Sequence, residues 1–206
     1  MQRTIRNLSL SLALAGLCCL GAAAQAGSAS SGASTSSNSA TGQSHSKLSP
    51  SERAFVRKAA EANLAEVELG KLAAERASSP QVKQFGQRMV DDHTKANDQL
   101  KQVASEEGIT LPDKLSAKDE ATKARLEKLS GDQFDHAYML NMVRDHTQDV
   151  SEFRTESKTA KDSSVKNFAQ QTLPTLEDHL KEAKSIEPHT TRALHKTKLK
   201  TSTSGV

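Results

Sequence analysis

The sequence predicts an all-α fold: a four-helix bundle made of two helical hairpins joined by one long connection. Three observations lead there. Between about Leu48 and Ile186 the chain is heavy in Ala, Leu, Glu, Lys and Gln, poor in aromatics and light in Gly and Pro. Twice a serine is followed by proline where an apolar periodic run begins, at Ser49-Pro50 and Ser79-Pro80, the arrangement of an N-cap with proline at the first helical position. Apolar residues also recur at alternating three and four spacing through four long segments.

Taken in order, "LSPSERAF" opens a helix predicted from about Pro50 to Ala77, and "SSPQVKQF" opens a second from about Pro80 to Glu107. "GITLPDKLSAKDEATKARLEKLSG" is too long for a tight turn and holds a short helix near Ala117 to Leu129. A third long helix is expected from about Asp132 to Thr159 and a fourth from about Ser163 to Ile186. Pro174 falls inside the fourth and is expected to kink it, because it removes one intrahelical bond. Two hairpins joined by one long connection is the chain path of ferritin-like bundles. Short repeats agree with two related hairpins: "MVDDHT" at Met89 returns as "MVRDHT" at Met142, and "VKQFGQ" at Val82 as "VKNFAQ" at Val165.

The ends read differently. Residues 1–26, "MQRTIRNLSLSLALAGLCCLGAAAQA", have two arginines, then an apolar run, then small residues at Ala24 and Ala26, the order of a secretory signal peptide. The run falls short of the ~20 strongly apolar residues of a membrane anchor. Residues 27–47 are Ser/Gly/Thr-rich and expected to be a disordered leader, since little there can offset the entropy of ordering. Residues 187–206 carry Arg192, Lys196, Lys198 and Lys200 against Glu187 and are expected to form a disordered basic tail, suited to peripheral contact with an anionic envelope surface. Cys18 and Cys19 both lie in the removable segment, so the mature chain has no thiol for disulfides, thiolate metal sites or covalent haem attachment.

Removing Arg3 and Arg6 takes the formal charge from +3 to +1, and setting aside Lys47 and the tail's net +3 leaves the helical part at −3. With one Tyr and five Phe besides, it has neither the cationic face nor the stacking platform of a nucleic-acid binder.

Each apolar seam is interrupted by one ionisable residue. The first runs Phe55, Ala59, Ala62, Glu66, Leu69, Ala73; the second Val82, Gly86, Met89, His93, Ala96, Leu100, Val103. The third runs Met139, Val143, His146, Val150, Phe153; the fourth Val165, Ala169, Thr172, Leu176, His179, Ala183, Ile186. At ~1.5 Å rise per residue, the interruptions within each hairpin stand level to about one turn. Glu66, His93, His146 and His179 are therefore the candidate ligands of a divalent transition metal (Fe, Mn, Zn or Cu), with Asp92, Asp145 and Asp178 placed to orient a histidine of a neighbouring helix. The same pattern also fits a buried Glu/His hydrogen-bond layer that sets helix register and binds nothing, or histidines at the seam's solvent edge. Met89, Met139 and Met142 read as core rather than haem ligands. No serine elbow, cysteine nucleophile or isolated carboxylate pair marks a hydrolase.

The stretches "FVRKAAEANLAEVELGKLAAERASSPQVKQFGQRMVDDHTKANDQL", "FDHAYMLNMVRDHTQDV" and "TLPTLEDHLKEA" resemble the exported bacterial family labelled domain of unknown function 4142, often described as outer-membrane proteins. The likeness covers nearly all of Ser51 to Ile186. It implies a ferritin-like four-helix bundle, bacterial export and a periplasmic or outer-membrane location, with no established reaction. Against the ferritin-like di-iron pattern the match is partial: Glu66 and Asp145 fit two carboxylate positions, but Val90 and Leu176 stand where Glu-x-x-His needs Glu. Two functions follow: a non-enzymatic envelope or stress-related binding protein, and a metal-binding bundle for storage or redox chemistry.

Overall fold

The computed structural model describes residues 48–203, with side chains described as far as residue 200. The segments expected to be signal peptide and leader lie outside the described residues. Five helices and no strand occur among the described residues: α1 Pro50–Arg76, α2 Pro80–Glu106, α3 Ala117–Glu127, α4 Gly131–Thr159 and α5 Ser163–Thr203. None is long and apolar enough to cross a membrane.

The helices begin where short-range chemistry says they should. Ser49 and Glu52 form a reciprocal capping box, Glu52 N–H donating to Ser49 Oγ at 3.2 Å and Ser49 N–H to Glu52 Oε2 at 2.9 Å. Ser116 caps α3 by accepting from the Asp119 N–H. The N-cap of α2, Ser79, takes no side-chain bond, although Pro80 stands at the first helical position as expected.

Helices α1 and α2 form one hairpin and α4 and α5 the other, while α2 meets α5 and α1 meets α4. The connection holding α3 runs back along α1, tied by Arg57 to the Thr110 carbonyl, by Lys123 to Glu68 and by Arg76 to the Glu127 carbonyl. Helix α4 therefore starts beside the α1–α2 turn. Gly70 and Gly86 let the first hairpin close tightly: a Cβ on Gly70 would stand 2.7 Å from the Gly86 carbonyl oxygen, and one on Gly86 2.8 Å from that of Gly70.

Two apolar clusters occupy the two ends. One centres on Phe55, Phe153 and Phe168, with Leu100, Val165 and Leu176. The other gathers Leu69, Phe85, Met89, Phe134, Tyr138 and Met142. Each hairpin turn is held by a buried acid from the opposite hairpin. Glu52 Oε1 accepts the Lys161 and Asp162 N–H groups at 2.8 and 2.9 Å, and Asp135 accepts Ser78 N–H, Ser78 O–H and Ser79 N–H at 2.9, 2.6 and 2.7 Å.

Two expectations are corrected. The chain from residue 187 is not a disordered tail as far as Thr203, because α5 continues without interruption past Pro174 and Pro188. The first turns of α4 give the extension partners: His136 pairs with Thr191, Asp132 accepts from Thr197, and Thr190 is buried. Composition and a proline read as a stop could not reveal those tertiary partners. The α1 seam also passes through Asn63, not Ala62, which is only partly buried.

Candidate metal centre

Between the two apolar clusters lies a polar layer. His93 from α2, His146 from α4 and His179 from α5 are 3%, 0% and 0% exposed, which excludes a solvent-edge placement. Their ring centroids form a nearly equilateral triangle, 5.6 Å between His93 and His146, 5.4 Å between His93 and His179, and 5.3 Å between His146 and His179. Phe85 closes one side, edge-on to His146 and His179. One ring nitrogen from each histidine lies within 4.8 Å of the others.

The outward nitrogens decide the tautomers. His146 Nδ1 faces the Met142 carbonyl at 3.0 Å, and His179 Nε2 faces Asp92 Oδ2 at 2.7 Å, a carboxylate that also pairs with Arg88. His93 Nδ1 meets Asn63 Oδ1 at 2.9 Å. A carbonyl, an ion-paired carboxylate and an amide oxygen can only accept, so each outward nitrogen carries the proton. The inward nitrogens, His93 Nε2, His146 Nε2 and His179 Nδ1, are then bare lone pairs.

Two of these, His146 Nε2 and His179 Nδ1, face each other at 3.3 Å. Two neutral acceptors cannot satisfy one another. Two nitrogen ligands at ~2.0–2.1 Å from one tetrahedral ion stand roughly 3.3 Å apart, so the pair already has the spacing of shared coordination. His93 Nε2 is buried and has no hydrogen-bond partner.

Electrostatics hold the rings neutral. Burial, reinforced by repulsion from His146 and His179, drives the His93 pKa well below its ordinary value. Burial and His179 lower His146 to about 3, against the opposing Met142 carbonyl. Burial lowers His179 as well, with Asp92 pulling the other way. Neutral imidazole is the form that binds metal.

The other sequence candidates separate from this triad. Glu66 is 2% exposed, but its Oε1 lies 4.0 Å from the protonated, outward nitrogen of His146, so it is no fourth ligand to the inward set. Its Oε2 has no partner, and burial, followed by Asp149 and Asp145, raises its pKa well above the usual carboxylate range. Asp92 accepts from His179 Nε2 across the α2–α5 interface. Asp145 instead binds Asn141 and Arg144, and Asp178 is exposed. Asn63, the Met142 carbonyl and Tyr138 were not among the sequence candidates. Asn63 was detectable as a polar residue three before Glu66, whereas a carbonyl has no sequence signature. Tyr138 Oη is buried without a partner, and burial, then Glu66, raises its pKa well above normal.

The model of a family described as a domain of unknown function, DUF4142, matches residues 37–186. Among solved structures, a DUF305 fragment from Deinococcus radiodurans matches with TM-score 0.61 and 17% identity, over 69% of this chain and 98% of that one. A DUF305 protein from Streptomyces coelicolor, described as a candidate secreted protein, matches with TM-score 0.56 and 14% identity, over 66% of this chain and 91% of that one. At these identities the likeness concerns the helical fold alone. No curated protein matches.

Proposed function

The chain belongs to the DUF4142 family, and from that premise we propose that it is an exported, ferritin-like helical protein that binds one divalent transition metal through His93 Nε2, His146 Nε2 and His179 Nδ1. The observation that carries this reading is the tautomer set: three buried inward lone pairs, each fixed by an acceptor on the far side of its ring. A structural polar layer would instead link donors to acceptors within itself.

The donor set selects the metal. Three neutral nitrogens without a carboxylate or thiolate ligand suit Zn²⁺ or Cu²⁺ better than oxygen-seeking Mn²⁺. The hydrogen bonds to Asp92, Met142 and Asn63 orient the rings and raise their basicity, as outer partners do around histidine-bound metals. Missing glutamates at Val90 and Leu176 argue against di-iron oxidation, so the role is binding or buffering of an ion. The amino-terminal signal pattern supports residence in the bacterial envelope.

The test is elemental mass spectrometry on untagged residues 27–206, loaded with Zn²⁺ or Cu²⁺ and dialysed, beside the His93→Ala/His146→Ala variant. About one equivalent in the parent and none in a still-helical variant is the expected result. A parent that retains no metal sinks the proposal.

A further inference from the structure

The chain past Pro188 is rich in threonine, a weak helix former, yet it stays helical to Thr203. Contacts with the start of α4 hold it there, and they also fix which way its side chains turn. Thr190 is buried, Thr191 meets His136 and Thr197 donates to Asp132, so these residues mark the face against α4. Glu187 lies on that side too, accepting from Thr191.

The opposite face is cationic. His189, Arg192, Lys196 and Lys200 are exposed and follow one another at spacings of three and four. At ~100° per residue they fall within an arc of roughly 80°. No Asp or Glu occurs after Glu187, whereas upstream the same face is mixed, Asp178 and Glu182 sharing it with Lys181. The helical part as far as Ile186 has a formal charge of −3, so an anionic surface repels the bundle and attracts this end.

A row of cations alone would simply be solvated. The independent observation is Leu199, which is 71% exposed, more than any other large apolar side chain among the described residues. It stands three residues after Lys196 and next to Lys200, within the cationic row. Water gives such a side chain nothing to pack on. The interface of an anionic bilayer gives it acyl chains, and gives headgroup charge to the cations around it.

We propose that α5 from His189 to Lys200 docks the protein reversibly on an anionic lipid bilayer, with Arg192, Lys196 and Lys200 at the headgroups and Leu199 inserted among them. This surface is independent of the histidine centre. Each Lys or Arg close to such a surface strengthens binding about 5-fold, so the three together contribute about 100-fold. Burial of the leucine adds about 10-fold. Three cations and one leucine give peripheral, salt-sensitive attachment and no permanent anchor.

Cosedimentation of untagged residues 27–206 with vesicles tests this. Mixed phosphatidylglycerol and phosphatidylcholine vesicles should retain the parent at low ionic strength and release it at about 0.5 M salt, and pure phosphatidylcholine should not retain it. Arg192→Gln/Lys196→Gln/Lys200→Gln should weaken binding about 100-fold. Removing the same charge at Lys83, Lys95 and Lys101, exposed on α2, should weaken it less than about 3-fold. Leu199→Asn should weaken it about 10-fold with every cation in place. Both α5 variants should keep the parent's helical circular dichroism, because the substituted side chains are exposed. A parent indifferent to anionic vesicles, or equal losses in the α5 and α2 charge variants, overturns the proposal. So does binding that Leu199→Asn leaves unchanged, which would make the row a site for a dissolved polyanion such as heparin.

Discussion

The buried acids at the turns and the buried histidines at the middle are both polar groups in a helical core, yet they are treated in opposite ways. Glu52 accepts from Ser49, Lys161 and Asp162, and Asp135 from Ser78 and Ser79, so their charge meets backbone N–H groups that the turns would otherwise leave bare. That concentration of donors lowers the Glu52 pKa to about 2, the Asp162 N–H and the Ser49 hydroxyl contributing most. In the middle layer the outward ring nitrogens are bonded, while His93 Nε2 is left open, as are the buried Asn63 Nδ2, Glu66 Oε2 and Tyr138 Oη. The turn acids are saturated by the fold, whereas the histidines are oriented by it and left with the inward nitrogens to which the proposed metal is assigned. The contrast separates two roles that burial alone makes look alike.

The largest expected effect breaks that contrast at the centre. Replacing His179 with Leu should lower Zn²⁺ affinity by more than ~100-fold, beyond the ~10–100-fold typical of losing an orienting partner. The metal-free variant should lose no more than about 1 kcal/mol, because leucine removes the bare Nδ1 and Asp92, deprived of the His179 N–H, keeps Arg88. Calorimetric binding and thermal unfolding on the same samples check both arms. A variant that binds normally but unfolds early would make the layer structural.

Next comes the turn. Glu52→Gln should cost about 2 kcal/mol of stability through weaker charge-assisted bonds to the α4–α5 turn, with Zn²⁺ affinity unchanged within error. The sign with pH follows from the depressed pKa. The Glu52 contribution is present above about 4.5 and is lost as pH falls towards about 2. Denaturant midpoints of parent and variant should therefore differ at pH 7 and converge near pH 2.

The histidines act over a different window. Their folded pKa values lie below 6.5, so the stability of the metal-free protein should decline as pH drops below 6.5, continuing towards about 3 for His146. In His146→Leu that slope should be shallower between pH 6.5 and 4, which urea titrations at fixed pH can measure.

Glu66→Gln should have the smallest effect, under about 1 kcal/mol near pH 5, because burial already favours the neutral acid and glutamine keeps its shape. Its sign is opposite to that of Glu52. A raised carboxyl pKa costs native stability as pH climbs above 4.5, so the glutamine variant should gain on the parent from pH 5 to 7. A parent that outperforms the variant at pH 7 would mean that Glu66 is ionised and paired.

Much of the fold was legible because its determinants are local. Ser49-Pro50, Ser79-Pro80 and the three and four spacing state where helices start and which face turns inward, and α1 to α4 begin and end within about two residues of the expected positions. The buried positions of His93, His146 and His179 were legible for the same reason: a polar residue on a seam is forced into the core when its apolar neighbours are buried. By itself, then, the sequence determined the helices, the two-hairpin order and the histidines' inward facing. Only the tertiary structure decided that the three rings share one triangle while Glu66 stands outside it. Ring rotation and one-turn offsets between helices depend on packing such as the Gly70–Gly86 approach, which no single helix encodes. Only the tertiary structure could show which nitrogens are bare, since Asn63, Asp92 and the Met142 carbonyl set the tautomers, two of them from other helices. The continuation of α5 past Pro188 belongs with these, because a helix that composition disfavours was kept by partners on α4, far away along the chain.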